Sequence, residues 1–369
     1  MKRVPSKDRK ICFMNSNRVW GGGEKWHYET ADYLSDLGYD VMVITNRQSH
    51  LFQKIKVHPK IKVHAYRISN YSFLNPFKLF ALRRLLKAQG VETIILGLSN
   101  DVKAGGFAAK LAGVKYIIYR RGTALPVKNS LLNRYLFGHV LTKVIANSEE
   151  IKNTIFDRNS CLIKPERVRI IYNGIKLNNS ESRPAIKSHD DEIIIGNAGR
   201  LVEQKDHESL IGIAAILKQR QLKFKVHIAG SGELESALKR LCKQEGLLDQ
   251  VIFMDFVEDM SAYLNEIDIY CSTSKHEGSS HVILEAMAAK KPLIAFNVST
   301  FPEMIKDGEN GFLVPYKEIA IYADKIQEIQ RDRDKLYKMG QASRNLVEKQ
   351  FDFSNKAREF LELIESEGV

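Results

Sequence analysis

Short apolar runs alternate with longer amphipathic segments along most of the chain. In the first half the apolar runs are rich in β-branched side chains, which predicts buried strands. They span residues 10–14, 41–45, 93–97, 115–120, 143–147 and 167–172. The segments between them have apolar residues every three or four positions, which predicts helices. This alternation is typical of a parallel sheet with helices on both faces.

The same alternation resumes after a polar, proline-containing segment at residues 177–192, which we interpret as a linker. The strands predicted beyond it span residues 193–198, 223–230, 250–254, 268–272 and 293–296. We therefore expect an α/β protein of two Rossmann-like, doubly wound parallel-sheet domains, one over residues 1–176 and one over residues 193–350. Ligands of such sheets bind at the carboxyl ends of the strands, which predicts a cleft that both domains face. Residues 351–369 hold a last amphipathic helix.

The size and composition agree with a globular protein of two domains. The chain has 369 residues, of which 44% are hydrophobic. No apolar run approaches the roughly 18 residues of a membrane span, and residues 1–10 lack the apolar stretch of a secretory signal. The four cysteines are scattered and form no Cys-x-x-Cys pair. This pattern favours a reducing cytoplasm and argues against structural zinc.

The charge is distributed unevenly between the two halves. Residues 1–176 hold 31 Lys and Arg against 12 Asp and Glu, whereas residues 177–369 hold 25 against 32. Between residues 41 and 148 the acids are Glu92 and Asp101. A basic half indicates an anionic partner, which can be a membrane surface, a nucleic acid or an acidic acceptor. The alternative is a basic surface that serves solubility alone.

One helix in this basic half combines cations with aromatic side chains. Residues 75–87 predict an amphipathic helix with a Lys/Arg polar side, and Phe73, Phe77 and Phe80 add aromatic rings. This combination is typical of a helix that lies on a bilayer surface. An ordinary packed helix with solvated charges explains the same pattern, and for this segment alone it is the preferred interpretation.

Glycines follow the first predicted strand. Gly21, Gly22 and Gly23 lie where the loop after that strand enters a helix, and their spacing differs from the dinucleotide-binding fingerprint. Because glycine lets a backbone approach other atoms closely, we interpret the loop as a place where the chain lies near a ligand. The alternative is a glycine turn without a ligand.

Two cations follow the first strand of the second half. Arg200 and Lys205 lie in a loop that starts at Gly199 and precedes a helix. A planar guanidinium fork and a compact ammonium group together suit a diphosphate. Surface salt bridges at a helix start are the alternative. A second glycine loop, with Gly230 and Gly232, follows the next strand.

Residues 274–289 change from a polar loop to an apolar helix. Gly278, Ser279 and Ser280 lie where this helix begins, so free backbone N–H groups there form an anion site. Glu285 interrupts the apolar run, and a buried carboxylate needs partners such as ligand hydroxyl groups. His281 lies one turn before Glu285 on the same helix face. A helix cap followed by an unrelated glutamate is the alternative.

The order of these motifs resembles that of retaining glycosyltransferases of the GT-B fold, specifically glycosyltransferase family 4. The matching positions cover nearly the whole chain and are Gly22 and Gly23, Asn173 and Gly174, Gly199 and Arg200 with Lys205, Gly230 and Gly232, and Glu277 with Glu285 eight positions later. The resemblance implies two domains with a final helix that crosses back to the first. It also implies a nucleotide sugar as the co-substrate and no other cofactor.

Residue roles follow from the resemblance position by position. The implied catalytic residues are Arg200, Lys205 and Glu277. Arg200 and Lys205 are implied to hold the diphosphate, and Glu277 is implied to bind hydroxyl groups of the donor sugar. Glu285 is implied to bind the ribose. The implied donor-binding residues are Gly22, Gly23, Arg121, Gly199, Gly230, Gly232, Val257, Gly278, Ser279, Ser280, His281 and Glu285.

The chain departs from the family pattern at three places. Asp255 stands where the family commonly has a glycine near the nucleobase, and Arg121 stands where it often has a histidine. The family's Gly-Phe-Gly after the first glutamate is Gly278-Ser279-Ser280 here. Arg121 is therefore a candidate for contacts with the donor sugar or the acceptor, and His281 is a candidate for contacts with the sugar. A lone histidine is also often structural.

Charge suggests the mechanism. Cleavage of a sugar–phosphate bond leaves an oxocarbenium-like sugar and a diphosphate. Arg200, Lys205 and a helix N-terminus would stabilise the developing negative charge, so no metal is expected. The one Asp-x-Asp sequence, Asp332-Arg333-Asp334, lies in a charged helical segment and is interpreted as solvated surface.

We therefore expect a retaining, metal-independent hexosyltransferase that uses a nucleotide sugar, with UDP as the expected nucleotide. Its expected acceptor is a glycan or glycolipid of cell-surface polysaccharide or lipopolysaccharide biosynthesis. The expected partners include an anionic inner-membrane surface but no nucleic acid, and the expected location is the cytoplasmic membrane face. A sugar-nucleotide epimerase of the same fold and a non-catalytic binder of polyanions or membranes remain alternatives.

Overall fold

The computed structural model describes residues 9–177, 192–278 and 280–366. The chain divides into two compact units. The first unit contains Met1–Asn173 together with Asn355–Val369, and the second contains Gly174–Ser354. Most of the predicted linker, residues 178–191, and Ser279 lie outside the described residues.

Strands and helices alternate through most of both units, and three helices end the described part of the chain. Up to residue 170 they are β1 Lys10–Asn15, α1 Gly22–Asp36, β2 Asp40–Thr45, α2 His50–Lys56, β3 Lys62–Ala65, α3 Pro76–Ala88, β4 Val91–Leu96, α4 Ser99–Ala112, β5 Tyr116–Arg121, α5 Leu131–Tyr135, β6 Lys143–Ala146, α6 Glu149–Phe156 and β7 Val168–Ile170. From residue 193 they are β8 Ile193–Ala198, α7 His207–Gln219, β9 Phe224–Ala229, α8 Glu235–Gln244, β10 Val251–Phe253, α9 Met260–Glu266, β11 Ile269–Ser272, α10 His281–Ala288, β12 Leu293–Phe296, α11 Phe301–Met304, β13 Gly311–Val314, α12 Ile319–Arg331, α13 Arg333–Gln350 and α14 Phe353–Ser366.

Each unit is built on one parallel sheet. The first sheet has the order β3-β2-β1-β4-β5-β6-β7, and the second has the order β10-β9-β8-β11-β12-β13. Every strand pair among the described residues is parallel. In both sheets the direction of winding reverses, at β1 and β4 in one and at β8 and β11 in the other. Loops diverge at such a switch point and leave a crevice where ligands bind. The predicted α/β fold class is therefore confirmed.

The cores cover both faces of the first sheet. One cluster contains Cys12 and Met14 of β1, and the opposite cluster contains Ile11 and Phe13 of the same strand. The second sheet packs its β8 side chains, such as Ile195, into a core of its own. Strands buried on both faces explain why the sequence shows continuous apolar runs rather than strict alternation.

The last helix, α14, belongs to the first unit from Asn355 onward. The ring of Phe360 lies 6.3 Å from that of Phe13 and 5.4 Å from that of Trp26, between centroids. The Tyr39 hydroxyl donates to the Glu365 carboxylate. The C-terminal segment therefore returns to the core that the N-terminal strand helps to form.

Gly174 lies where the chain enters the second unit. A Cβ atom at this position would be 2.5 Å from the Cα of Phe353. The two segments also exchange backbone hydrogen bonds, from Ile175 N to Phe351 O at 2.8 Å and from Phe353 N to Ile175 O at 3.0 Å. Only glycine permits this approach, which gives the Asn173-Gly174 motif a structural reason.

No helix in the described part of the chain is both long enough and apolar enough to cross a membrane. Cys12 and Cys271 are buried in strands, as predicted, and all four cysteines are free thiols. Burial raises the pKa of the Cys271 thiol to about 12.

Candidate active site

The main candidate site lies at the carboxyl edge of the second sheet, at its switch point. Lys205 follows β8, and Glu277 follows the neighbouring strand β11. The Lys205 ammonium group forms a close ion pair with the Glu277 carboxylate. Ser274 donates a hydrogen bond to the same carboxylate at 2.8 Å. Two residues that the sequence separates by 72 positions therefore meet at the edge where such sheets bind ligands.

Further contacts join the two loops that carry this pair. The side-chain amide of Gln204 donates to the carbonyl of His276 at 2.9 Å, and the Lys275 amide donates to the Gln204 carbonyl at 2.9 Å. Lys275 also pairs with Glu203 at 2.6 Å, and this hydrogen bond lowers the pKa of the Glu203 carboxyl. The loops therefore hold Lys205 and Glu277 in a fixed mutual position.

Arg200 lies in the first of these loops and remains available. Its side chain is exposed and forms no hydrogen bond or ion pair with any residue that the structure describes. The neighbouring Gly199 lies against Lys205, since a Cβ there would be 3.0 Å from the lysine Cε. One cation is thus held by Glu277 and the other is free to meet an anion.

Gly230 and Gly232 pack the next loop against the same segment. A Cβ at Gly230 would lie 2.0 Å from the carbonyl oxygen of Gly199, and one at Gly232 would lie 2.4 Å from that of Leu201. Gly230 also has a φ of +134°, which favours glycine. Both glycines therefore shape the loop that carries Arg200, and their contact with a donor stays a prediction.

Helix α10 begins beside Glu277. Ser280 caps it without a side-chain hydrogen bond. Two residues that follow β12 fix the loop before the helix: Ser299 donates to the Glu277 carbonyl at 2.7 Å, and Thr300 donates to the Gly278 carbonyl at 2.8 Å. The first-turn N–H groups of the helix thus open at the same edge as Lys205. Ser279 belongs to this junction in sequence but lies outside the described residues.

His281 and Glu285 occupy one face of α10. His281 is buried, whereas Glu285 is half-buried rather than enclosed as the apolar run suggested. Burial is the main cause of the raised pKa of Tyr270, to which Tyr263 and then the charges of Glu277 and Glu285 also contribute. Both glutamates therefore act electrostatically on one side chain of β11.

Asp255 explains one departure from the family pattern. Its φ of +49° is left-handed, a conformation that glycine adopts readily and aspartate tolerates. Its carbonyl accepts a hydrogen bond from Gly230 N at 2.5 Å. Asp255 therefore keeps the turn that a glycine would form, while the half-buried Val257 follows two residues later.

The glycine loop of the first unit begins α1, as predicted. The helix starts at Gly22, and Gly21 precedes it in an extended conformation. Glu24 in the first turn accepts hydrogen bonds from the amides of Asn15 at 3.0 Å and Asn17 at 3.1 Å. A buried carboxylate therefore organises the loop between β1 and α1.

Arg120, rather than Arg121, lies beside this glycine loop. Its guanidinium group stacks 4.7 Å from the Trp26 ring and donates to Asn173. A Cβ at Gly23 would be 3.8 Å from it. Burial lowers the pKa of Arg120 to about 10. The sequence did not single out Arg120. Because successive side chains of a strand point to opposite faces of the sheet, Arg120 and Arg121 cannot both face this loop.

Arg121 points to a different part of the first unit. It donates to the carbonyl of Leu125 and, at 3.4 Å, to the hydroxyl of Thr154. These contacts hold the loop after β5. The predicted contact of Arg121 with the donor stays a prediction.

Two more buried groups border the switch point of the first sheet. His27 donates from Nδ1 to the Gly23 carbonyl at 2.8 Å, and burial lowers its pKa to about 3. Asp101 accepts from the amides of Leu98 at 3.0 Å and Ser16 at 3.3 Å. Burial raises the pKa of Asp101 to about 7. Neither residue was singled out for chemistry in the sequence.

No cluster of three or more His, Cys, Asp or Glu side chains in the described segments is arranged to hold a metal ion. Asp332, in the Asp-x-Asp sequence, instead caps α13 by accepting from Lys335 N at 2.8 Å.

Comparison with known families identifies the class of protein. The model of glycosyltransferase family 4 matches residues 20–179, and the model of glycosyl transferases group 1 matches residues 178–346. The chain therefore belongs to the glycosyltransferases, with a family 4 domain followed by a group 1 domain.

Individual relatives agree with this assignment. An uncharacterized glycosyltransferase of Haemophilus influenzae is 27% identical over 318 residues, which cover 84% of this chain and 87% of the relative. The capsular polysaccharide biosynthesis glycosyltransferase CapM of Staphylococcus aureus is 27% identical over 223 residues, which cover 57% and 58%. The structure of HepE from Anabaena in complex with UDP-glucose has a TM-score of 0.83 at 20% identity and covers 97% of this chain and 99% of its own. The last likeness shows the fold.

Proposed function

We propose that this glycosyltransferase moves a hexose or a related sugar from UDP to a glycan or lipid-linked acceptor and retains the anomeric configuration. The observation that carries the proposal is the pairing of Lys205 with Glu277 at the switch point of the second sheet, with the exposed Arg200 in the same loop as Lys205. This arrangement offers cations to a diphosphate and a carboxylate to sugar hydroxyl groups. The nucleotide sugar is the co-substrate, and no other cofactor is proposed.

The proposed chemistry rests on charge. When the bond between the sugar and the phosphate breaks, negative charge grows on the diphosphate and positive charge grows on the sugar. Arg200, Lys205 and the first-turn amides of α10 stabilise the leaving group without being reorganised during the step. The Glu277 carboxylate lies next to Lys205 and stabilises the cationic sugar. We propose that these groups replace a metal ion.

The remaining site residues bind the donor. Glu285, half-buried on α10, accepts hydrogen bonds from the ribose hydroxyl groups. The backbone at Val257 contacts the base. Retention of configuration is supported by the resemblance of the Glu277 and Glu285 spacing to that of retaining enzymes. UDP is supported by HepE, which shares the fold and was solved with UDP-glucose.

The acceptor belongs to cell-surface polysaccharide or lipopolysaccharide biosynthesis in this proposal. CapM, a relative across more than half of the chain, is named for capsular polysaccharide biosynthesis. A fold neighbour with a TM-score of 0.76 at 19% identity is named as the lipopolysaccharide outer core galactosyltransferase WaaB. An enzyme of this class that acts on lipid-linked intermediates works on the cytoplasmic face of the inner membrane, which is the proposed location.

The test starts with turnover of purified protein on a panel of UDP-, GDP-, ADP- and CMP-sugars with membrane extract as acceptor. NMR spectroscopy of the product then gives its anomeric configuration. We expect transfer from one UDP-sugar with the donor's configuration. Inverted product would contradict the retaining mechanism, and interconversion of the free nucleotide sugar without transfer would indicate an epimerase.

Two substitutions test the residue assignment. Arg200→Ala should lower kcat about 100- to 1,000-fold, as loss of one oxyanion-stabilising group does. Glu285→Ala should abolish turnover and leave the protein folded. The matched controls are Arg331→Ala and Glu309→Ala, since both side chains are exposed in the same unit. Full activity of either site variant would remove that residue from the site.

A further inference from the structure

Helix α3 of the first unit carries apolar side chains on two opposite sides. On its inner side Leu82 and Leu86 are fully buried in the core. On its outer side Phe77 is 84% exposed and Phe80 is 61% exposed. A helix packed on one side normally presents polar residues on the other. The outer phenylalanines therefore need an explanation that the fold itself does not supply.

The apolar surface extends beyond α3. Tyr71 and Leu74, in the turn before the helix, are 76% and 66% exposed, and Tyr135 of α5 is 49% exposed. We call Tyr71, Leu74, Phe77, Phe80 and Tyr135 the aromatic face. Large exposed apolar patches mark interaction surfaces more often than accidental exposure.

Stacked rings link Tyr135 of the aromatic face to the turn before α3. The ring of Phe107 in α4 lies 6.4 Å from that of Phe73 and 5.9 Å from that of Tyr135, with both pairs stacked. Tyr135 is therefore linked through Phe107 to Phe73, the residue that precedes Leu74.

The backbone that carries the aromatic face is well fixed. Asn75 caps α3 by accepting from Lys78 N at 3.1 Å, and the Tyr66 hydroxyl donates to the Lys78 carbonyl at 2.5 Å. Ser72 is buried and accepts from Ser69 N at 2.9 Å. The aromatic rings are therefore displayed by an ordered scaffold.

Basic residues predominate in the segment that carries these rings. Residues 41–148 contain 18 Lys and Arg but only Glu92 and Asp101 as acids. Asp101 is fully buried, and Glu92 lies at the amino end of β4. The guanidinium of Arg83 lies 5.7 Å from the Phe80 ring, and the ammonium of Lys103 lies 5.9 Å from the Phe73 ring.

We propose that the aromatic face docks on an anionic lipid bilayer. Phenylalanine and tyrosine insert at the boundary between head groups and acyl chains, while flanking lysines and arginines bind the anionic head groups. A soluble acidic polymer would bind the cations without needing exposed phenylalanines, so the combination favours a lipid surface.

The position of the aromatic face suits an enzyme with a lipid-linked acceptor. Strand β3 ends at the carboxyl edge of the first sheet, and the chain continues through Tyr71 and Leu74 into the start of α3. Helix α5 likewise follows the carboxyl end of β5. The aromatic face thus adjoins the edge where such sheets bind ligands. Delivery of an acceptor from the bilayer to this edge rests on the proposed function, whereas bilayer binding does not.

The test uses the full chain and sedimentation with phosphatidylcholine vesicles that contain or lack phosphatidylglycerol, without any sugar donor. We expect binding to the anionic vesicles that weakens with salt. Phe77→Ser with Phe80→Ser should lower the vesicle partition coefficient at least about tenfold. Arg84→Glu with Lys87→Glu should lower it about as much on anionic vesicles only.

Matched double variants on the second unit serve as controls. Leu248→Ser with Tyr337→Ser removes two exposed apolar side chains, and Lys243→Glu with Lys338→Glu reverses two exposed charges. Both should bind vesicles like the wild type. All variants should keep the wild-type melting temperature, which excludes misfolding as the cause of lost vesicle binding.

Two outcomes would overturn the proposal. The first is that the wild type does not bind vesicles, or that the Phe77 and Phe80 double variant binds them as well as the wild type does. The second is a wild-type dimer in light scattering that this variant converts to a monomer, without any vesicle binding. That result would assign the aromatic face to a second copy of the chain.

Discussion

The ion pair between Lys205 and Glu277 has a structural role and a proposed catalytic role, and substitutions can separate the two. Lys205→Ala leaves the buried Glu277 carboxylate with Ser274 as its hydrogen-bond donor. We expect the free energy of unfolding to fall by about 3 kcal/mol, because one charge of a buried pair loses its partner. Urea denaturation measures this loss, and turnover of a UDP-sugar should be lost as well.

The double variant Lys205→Met with Glu277→Gln provides the control for this prediction. It removes both charges, so most of the stability should return while turnover stays absent. If the double variant were as unstable as Lys205→Ala, the loss of stability would have another cause. If Lys205→Ala kept full turnover, Lys205 would have no role in the reaction.

Asp101 predicts a pH-dependent stability. Burial raises its pKa from 3.8 to about 7 in the folded chain, so the folded state binds more protons than the unfolded state between about pH 4 and about pH 7. By linkage, the contribution of Asp101 to stability falls as pH rises through this interval. Asp101→Asn keeps an oxygen that accepts from Leu98 N and Ser16 N but does not ionise. Its stability relative to wild type should rise across the interval and then level off.

Urea denaturation at a series of pH values measures this difference. The control is Asp334→Asn, which removes an exposed carboxylate in the second unit. A difference between Asp101→Asn and wild type that stays constant from pH 4 to pH 7 would show that Asp101 ionises alike in the folded and unfolded states.

Some residues of the candidate site were singled out in the sequence and others were not, for physical reasons. The motif spacing predicted Lys205 and Glu277, and the structure places them in contact. Arg120 was missed because its neighbour Arg121 matched the family position, and only the folded structure shows that Arg120 lies against Trp26. A residue's direction depends on the element packed above it, which a single sequence does not specify.

Strands buried on both faces were the easiest elements to predict. All the strands predicted from apolar runs are present, and their ends shift by at most two residues. Two edge strands were missed. Strand β3 is only partly buried, so its sequence has no apolar run, and β13 begins at a glycine. At Gly311 a Cβ would lie 2.0 Å from the Leu293 carbonyl oxygen. The close approach of the two strands, rather than hydrophobicity, therefore requires glycine at this position.

Helix α14 should contribute strongly to the stability of the first unit. Phe360 is buried against Phe13 and Trp26, at the centre of the core on one face of the first sheet. Phe360→Ala should lower the free energy of unfolding of that unit by about 3 to 5 kcal/mol, because it leaves a cavity. Chemical denaturation followed by tryptophan fluorescence measures this loss, since Trp26 lies at the site.

An exposed residue gives the control for Phe360. Leu248→Ala removes a side chain that is 61% exposed and should change stability very little. A small effect of Phe360→Ala, comparable to that of Leu248→Ala, would mean that α14 is dispensable for the first core.

The two units share an architecture but divide their proposed tasks, and nucleotide binding should show this division. The diphosphate and ribose contacts proposed here come from Arg200, Lys205 and Glu285, all in the second unit. UDP at a hundred times its dissociation constant should therefore stabilise that unit by about 2.7 kcal/mol. In hydrogen exchange, protection should be largest in segments 199–205 and 274–285, while the strands β1–β7 keep the exchange rates of the free protein.

Arg200→Ala should reduce this protection at the same UDP concentration, whereas the exposed-site control Arg331→Ala should not. Protection confined to the first unit would mean that the nucleotide binds elsewhere, and the second unit would then need another role.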